Sequence, residues 1–499
     1  MRATGIFLTL CFLAATIAGC TAQKESDASF TTAGAGSADK RSASSNEGLL
    51  STTEDDGTAT RPTVSHLKKG DWGDKAKSDD KAGPRDSEKG PPLTVREGEI
   101  GPAPKDAKVG DPKWKAADPP PGVAEPVVGR EMPKKPREPQ LQSGILTAGS
   151  FDDNINPQVF DSFVKRMSQH RGLGDFLTKM QGQRVLVIVK DSGGKPVGDA
   201  RVKLSAGASA PVELVTRTDG RAVFMLALDQ LPADQALLAS VTAPSGGNPV
   251  TETITVGASR WEITLPGVQA ALPKNLDLAI VLDTTGSMGD ELKHLNAEIR
   301  GISQAIAQKF PEVKQRFSLV LYRDDGDEYV VRRFDFTDSL ETFHKNLSAQ
   351  SAGGGGDYPE AMHKALEETQ QLRWQEKDTA RVLFLVGDAP PHAQHMNRTL
   401  AAVNHLRKKG VALYPVACSG YDDPTELVMR SSALLTGSQF LFLTDDSGVG
   451  NAHGEPKIPY YQVERLERLM IRMIASELSG QHIQANPTDI IRTVGKKVN

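Results

Sequence analysis

Cysteine is nearly absent from this chain of 499 residues: Cys11, Cys20 and Cys418 are too few and too scattered for a disulfide framework, so stability must come from ordinary cores. There is no phosphate-binding glycine loop, no H-E-x-x-H pair and no Ser/His/Asp order, which removes the common nucleotide, zinc-protease and serine-hydrolase signatures. Charge of one sign is lacking too. A net charge of −4, with no basic stripe, gives no field to attract nucleic acid, and no DNA or RNA partner is expected. Aromatic residues are scarce between positions 22 and 149, where only Phe30, Trp72 and Trp114 occur among Ser, Thr, Asp, Lys, Gly and Pro. That stretch cannot bury a core.

The N-terminus has one apolar run, Ile6 to Ile17, behind the basic start Met1-Arg2. It is too short to span a bilayer comfortably and reads as a signal peptide over 1–19. The following Ile17-Ala18-Gly19-Cys20 resembles the lipobox of bacterial lipoproteins, in which small residues fit the signal peptidase and the cysteine thiol takes a diacylglycerol. The resemblance implies lipidation at Cys20 and a membrane partner reached through that anchor. Thr21 stands where an Asp often retains a lipoprotein at the inner membrane, so an outer-membrane place in the cell envelope is expected, on its periplasmic or surface face. With Cys11 removed and Cys20 acylated, Cys418 remains as a lone thiol.

Residues 20–150 then form a disordered, lipid-anchored linker with a coil reach of roughly 60 Å, extended further by proline and charge. Order is expected to begin near Asn156-Pro157, an N-cap followed by proline at the first helical position, in a helical segment over 156–180 carrying Phe160, Phe163, Val164 and Met167 at helical spacing. From 183 to 267, short alternating runs such as Val185–Val189, Ala200–Leu204 and Trp261–Leu265 are separated by turns and predict a small β-sandwich. Its G-K-P-V-G-D-A-R-V and T-D-G-R-A-V-F segments resemble immunoglobulin-like repeats of bacterial surface proteins and carboxypeptidase regulatory domains, implying a rigid spacer or accessory module.

The pattern changes again at 273–480, where strands alternate with helices, and a tail is expected over 481–499. This is the signature of an α/β fold, a doubly wound and mostly parallel sheet. Leu278–Leu282 is continuously apolar, as a strand buried on both faces should be. Met288, Leu292, Leu295, Ile299, Ile302 and Ile306 define a long amphipathic helix, and further helices are expected near 359–372, 396–409, 424–435 and 461–478.

Ligands of open α/β sheets bind at the carboxyl ends of the strands. There the chain places Asp283-Thr284-Thr285-Gly286-Ser287, and alternation brings the Asp283 carboxylate and the Thr285 and Ser287 hydroxyls into one crevice. A hard divalent cation prefers such oxygen donors, and Mg²⁺ keeps several waters rather than demanding many carboxylates. The D-x-T-G-S run between a buried strand and a long helix resembles the metal-ion-dependent adhesion site of von Willebrand factor A domains, a Rossmann-like fold. Two further segments stand in the order that resemblance implies. Gly353–Gly356 leads into Asp357-Tyr358-Pro359-Glu360, a glycine-rich version similar to a bacterial and kinase-associated branch, in which Asp357 would replace the family's metal-touching threonine. Val386-Gly387-Asp388-Ala389-Pro390 would supply the last aspartate, Asp388. The resemblance implies a Mg²⁺ site, or Mn²⁺ or Ca²⁺ in its place, whose open position takes an acidic residue from a protein partner: adhesion or protein binding, not catalysis. Two rivals are a hydrolase, with Asp357 as the sole candidate general base, and an envelope structural protein whose metal serves folding alone.

Other candidates are weaker. The carboxylate turn Asp324–Glu328 could hold calcium or a basic partner, but such turns are usually just solvated. His392 and His395 lack a third zinc ligand in sequence, and Cys418 ends a buried strand with no neighbouring base. The lipobox yields the first test: Cys20→Ser is expected to move the protein from the membrane to the soluble fraction, and unchanged fractionation would remove the anchor.

Overall fold

A computed structural model of the chain describes residues 146–356, 358–448 and 453–496. The expected signal peptide, Cys20, nearly all of the expected linker and Asp357 lie outside the described residues. The described chain enters on β1 (Thr147–Phe151) and helices α1 (Pro157–Met167) and α2 (Gly174–Met180). Next come β2 (Arg184–Asp191), β3 (Arg201–Ser205), β4 (Val212–Val215), β5 (Arg221–Met225), the single turn α3 (Leu226–Asp229), β6 (Leu237–Thr242), β7 (Val250–Ile254) and β8 (Arg260–Leu265). The α/β part runs β9 (Asn275–Asp283), α4 (Gly289–Lys309), β10 (Lys314–Tyr322), β11 (Val331–Thr337), α5 (Leu340–Ser348), α6 (Met362–Glu368), β12 (Thr379–Gly387) and α7 (Met396–Lys408). It closes with β13 (Ala412–Ala417), α8 (Asp423–Leu435), β14 (Phe440–Thr444), β15 (Tyr460–Arg465), α9 (Leu466–Ser479) and β16 (Arg492–Gly495).

The α/β expectation holds. One sheet of nine strands has the order β11-β10-β9-β12-β13-β14-β1-β15-β16. Its centre, from β10 to β14, is parallel, and its margins are antiparallel. The apolar run of β9 is explained by its two faces: Leu278, Ile280 and Leu282 enter one core, Ala279 and Val281 the other. The chain leaves β9 towards β10 on one side and returns to β12 on the other, so the order reverses between β9 and β12. A crevice opens at such a reversal, beyond the carboxyl ends of the strands.

Both ends of the sheet differ from expectation. Order begins before Asn156, because Thr147–Phe151, counted with the linker, forms β1 between β14 and β15. Its register pairs Thr147 with Thr444 and with Arg465, partners that no local sequence pattern can reveal. Gly149 is required there by close approach: a Cβ would lie 2.5 Å from the Phe442 ring. The tail is likewise not free, since Arg492–Gly495 pairs with β15 as the sheet's last strand. The helix expected over 461–478 starts only at Leu466, after β15. The helical segment 156–180 is two helices, broken at a turn through Gly172, whose φ is +86°.

The smaller β unit has sheets β5-β2-β8 and β4-β3-β6-β7, closed over Val185, Val187, Val202, Leu204, Phe224 and Ile263. It is joined to the α/β part by buried arginine pairs: Arg217 with Glu477, Arg407 with Asp229, and Arg381 with Asp199 at 2.8 Å. The entry segment is fixed in the same way. Arg430 on α8 has no exposed surface, grips Asp153 through Nε at 2.9 Å and Nη2 at 2.6 Å, and reaches Glu426 at 2.9 Å. Its guanidinium also lies 4.5 Å from the centre of the Phe163 ring on α1. Arg430→Ala would leave two buried carboxylates without their cation, a class of change that costs about 3–5 kcal/mol. Chemical denaturation should show a loss of that size, and a change below about 1 kcal/mol would contradict this packing role.

Candidate metal centre

The crevice between β9 and β12 is assembled by three loops. In the first, Asp283 ends β9 fully buried, and its Oδ1 accepts hydrogen bonds from Thr285 N at 2.9 Å and Thr285 Oγ1 at 2.7 Å. Its Oδ2 is buried and meets no polar group closely, with the buried Tyr322 hydroxyl the one weak partner among the described residues. Thr285 Oγ1 lies 3.5 Å from Ser287 Oγ at the start of the turn into α4. The expected convergence of Asp283, Thr285 and Ser287 is therefore present.

The glycine loop supplies the second wall. Gly286 N donates to Gly354 O at 3.3 Å, and Gly353 N donates to Thr284 O at 3.0 Å, so the first two loops are bound edge to edge. Gly354 and Gly355 have φ of +80° and +78°, the left-handed region that favours glycine. The space there is also taken: a Cβ on Gly354 would lie 2.4 Å from the Asp327 carboxylate, which accepts from Gly355 N at 2.9 Å. Asp327 also accepts from Asp324 N at 3.0 Å, Asp325 pairs with Lys364, and Glu328 pairs with Arg323 at 3.4 Å. The carboxylates of the acidic turn Asp324–Glu328 are thus engaged within the protein, Asp327 holding the glycine loop and the others pairing with Lys364, His392 and Arg323. Arg323 braces both loops, donating to Thr284 O at 3.2 Å and Ser351 O at 2.8 Å.

Asp388, beyond β12, forms the third wall and is buried. Tyr358 ties it down: its hydroxyl donates to Asp388 O at 3.0 Å and accepts from Asp422 N at 2.9 Å, while the ring stays exposed. The residue that sequence reasoning missed is Glu360. It was visible only as the last letter of D-x-P-E, yet its carboxyl is buried at the cleft, with Oε2 lacking any partner among the described residues. Its N–H donates to Pro390 O at 2.9 Å, which joins the second and third loops. Thr285, Ser287, Glu360 and Asp388 line one cleft of about 370 Å³.

Electrostatically the cleft is frustrated. Burial, reinforced by the Asp388 charge, pushes Asp283 up to about 7. Burial and the charges of Asp283, Asp324, Asp327 and Asp388 push Glu360 up to about 9. Asp388 is raised by burial against the opposing pull of the Ser287 hydroxyl. None of Asp283, Glu360 and Asp388 has a Lys or Arg partner among the described residues, whereas Asp325 and Glu328 of the neighbouring acidic turn each pair with one. No group of three or more His, Cys, Asp or Glu among the described residues is arranged as a metal cluster by itself, so hydroxyl oxygens would have to complete any donor set. The histidines do not converge: His392 bonds Asp324 at 3.0 Å, whereas His395 stacks on His363 at 4.0 Å. Cys418 is a packed thiol, buried and held well above its ordinary pKa by desolvation.

With this geometry in place, residues 277–420 match the von Willebrand factor A domain family. The chain carries a von Willebrand factor A region. Domains of this family are characteristically non-catalytic protein-interaction modules. Among curated proteins the chain is similar to a putative ariadne-like RING finger protein of Acanthamoeba polyphaga mimivirus, 26% identical over 34% of this chain and 18% of that protein. It is also similar to the alpha-protein kinase vwkA of Dictyostelium discoideum, 27% identical over 26% of this chain and 21% of the kinase. The match therefore spans about a fifth of each relative. Among solved structures, a conserved hypothetical protein, BatB, from Bacteroides thetaiotaomicron aligns over 41% of this chain and 99% of its own, at 10% identity and TM-score 0.30. Proximal thread matrix protein 1 from the mussel byssus, with a zinc-occupied MIDAS motif, aligns over 32% of this chain and 40% of its own, at 17% identity and TM-score 0.26.

The raised carboxyls make a prediction for metal-free protein. Folded Asp283 keeps a proton that the unfolded chain releases near 3.8, so stability is present below that pH and is lost as pH rises towards about 7. Asp283→Asn should weaken this dependence, leaving the fall that the raised Glu360 contributes up to about 9. In EDTA at pH 8 the variant should be more stable than the wild type, by up to about 4 kcal/mol for a single group shifted this far. A wild-type stability that rises between pH 4 and 7 in EDTA, and an Asn variant that follows it, would contradict the frustrated cleft.

Proposed function

We propose that this is an exported, lipid-anchored protein of the bacterial cell envelope whose von Willebrand factor A domain binds a protein partner through a divalent metal ion. The observation that carries the reading is the pair of buried carboxylates without a cationic partner, Asp283 beneath and Glu360 lining a cleft that also presents the Thr285 and Ser287 hydroxyls, with Glu360 Oε2 unpartnered among the described residues. The donor chemistry fits a hard cation: oxygens alone, few carboxylates, and an open side where water can remain. Asp283, Ser287, Asp388 and Glu360 would hold the ion, with Thr285 orienting Asp283. Bound there, the metal would supply a positive charge to a carboxylate from the partner. Mg²⁺ is the first choice, with Mn²⁺ or Ca²⁺ as the alternatives.

The protein's own residues do the rest. Thr285 fixes Asp283 in one orientation, and Asp327 and Arg323 hold the glycine loop against it. The exposed Tyr358 ring at the rim is the amphipathic, low-entropy contact that interfaces favour. The anchor at Cys20 would tie this surface to the membrane, and the linker would let it reach outward.

Mg²⁺ or Mn²⁺ should raise the melting temperature of the chain lacking its signal peptide. An ion that binds only the native state stabilises it by about 2.7 kcal/mol at 100 times its dissociation constant. Asp283→Ala should abolish the rise, Glu360→Gln should diminish it, and both should lose metal-dependent capture of envelope proteins. Absence of divalent-ion binding by calorimetry, or a full thermal shift in Asp283→Ala, would overturn the reading.

A further inference from the structure

At the opposite end of the parallel strands, where β12 begins, the β unit and the von Willebrand factor A region line a half-open cavity of about 590 Å³. Its charge is unlike that of the chain. Six cationic side chains and only two carboxylates line it, in a protein whose net charge is −4. Arg381 is neutralised by Asp199 at 2.8 Å, and Arg373 pairs with Asp335 at 3.0 Å. That leaves Arg201, Lys377, Lys408 and Lys409 with no carboxylate partner among the described residues, and Glu376 as the remaining anion.

These four cations come from both sides of the seam: Arg201 from β3, Lys377 from the loop before β12, Lys408 and Lys409 from the end of α7. Elsewhere on the same seam each arginine that crosses it meets a carboxylate, as Arg217 does with Glu477 and Arg407 with Asp229. Arg201, Lys377 and Lys408 are exposed and Lys409 is half-buried, so water screens these charges, and an anion that enters the cavity meets positive charge from both sides of the seam. The walls are also built to stay in place. Asp199 holds a left-handed φ of +58° while its carboxylate binds Arg381 and accepts from Asp378 N at 2.9 Å. Arg381 in turn donates to the carbonyls of Gln375 and Glu376, both at 2.6 Å. Leu372, Trp374, Val215 and Pro244 give the cavity an apolar side, and its volume falls in the range of small-ligand sites.

We propose that this cavity is a second site, independent of the metal cleft, that binds an anionic phosphate group. Free phosphates and phospholipid headgroups share that chemistry, and the arms of the test separate them. The probes are inorganic pyrophosphate, phosphatidylcholine vesicles with and without phosphatidylglycerol, and poly-glutamate, used with the chain lacking its signal peptide in EDTA so that no metal is titrated. Pyrophosphate should raise the melting temperature of the wild type. The double variant Lys377→Gln, Lys408→Gln should fold as the wild type does yet bind about tenfold more weakly or worse, as expected when charge-assisted hydrogen bonds are removed. Lys293→Gln and Lys165→Gln, on helices away from the cavity, should leave binding unchanged. Binding to phosphatidylglycerol vesicles that depends on Lys377 and Lys408 would assign the source as lipid, and pyrophosphate binding without vesicle binding would assign a soluble phosphate. No response to pyrophosphate or vesicles, equal binding by the double variant, or binding of poly-glutamate alone would each overturn the proposal, the last in favour of an acidic protein segment.

Discussion

Placing a carboxylate at the end of a strand that is buried on both faces costs desolvation energy, and this chain does it at the point where its sheet reverses order. Asp283 cannot retreat from the cleft, because β9 is locked between β10 and β12 along its whole length. Asp388 faces it from the end of β12 and Glu360 from the loop above, so one small volume gathers negative charge that no nearby lysine or arginine relieves. Everything else around the site follows from holding these groups together. Thr285 fixes one oxygen, the glycine loop brings backbone N–H groups and not side chains to the wall, and Tyr358 stitches the third loop to α8. A cation entering such a cleft would relieve this repulsion, and folding stability would then be coupled to ion binding.

The sheet that carries the cleft is larger than its family match. Residues 277–420 stop short of β14, but β1 reaches back to pair with it, and β15 and β16 extend the sheet on the far side. The buried Arg430 joins that added margin to α8, and three further arginines lock the β unit to the α/β part. The β unit is therefore a fixed part of the same body and not a loosely tethered spacer. Its seam creates the cationic cavity, a feature that neither unit could form alone.

Legibility in the sequence followed the range of the interactions. The central strands, the long helix α4 and the order of the three loops were readable because each is encoded by local periodicity or by a short motif. Asp283, Thr285, Ser287 and Asp388 were named from sequence, and the structure brings all four to one crevice. β1 was missed because T-A-G-S-F is short and small, and its meaning lies in Phe442 and Tyr461, some three hundred residues away. Glu360 was overlooked for a related reason. A glutamate after a proline ordinarily starts a solvated helix, whereas the backbone contact with Pro390 sets this one at the cleft against the repulsion of the acidic turn. The four unpaired cations of the second cavity are scattered over more than two hundred positions and have no sequence signature.

The central claim is that the carboxylates were gathered to hold a metal ion. The most direct measurement is anomalous scattering from crystals of residues 146–499 grown with Mn²⁺. The account predicts a peak in the cleft, with Ser287 and at least one of Asp283, Asp388 and Glu360 as direct ligands and an open position facing solvent beside Tyr358. A peak only at the Asp324–Glu328 turn, or no peak at saturating Mn²⁺, would contradict it.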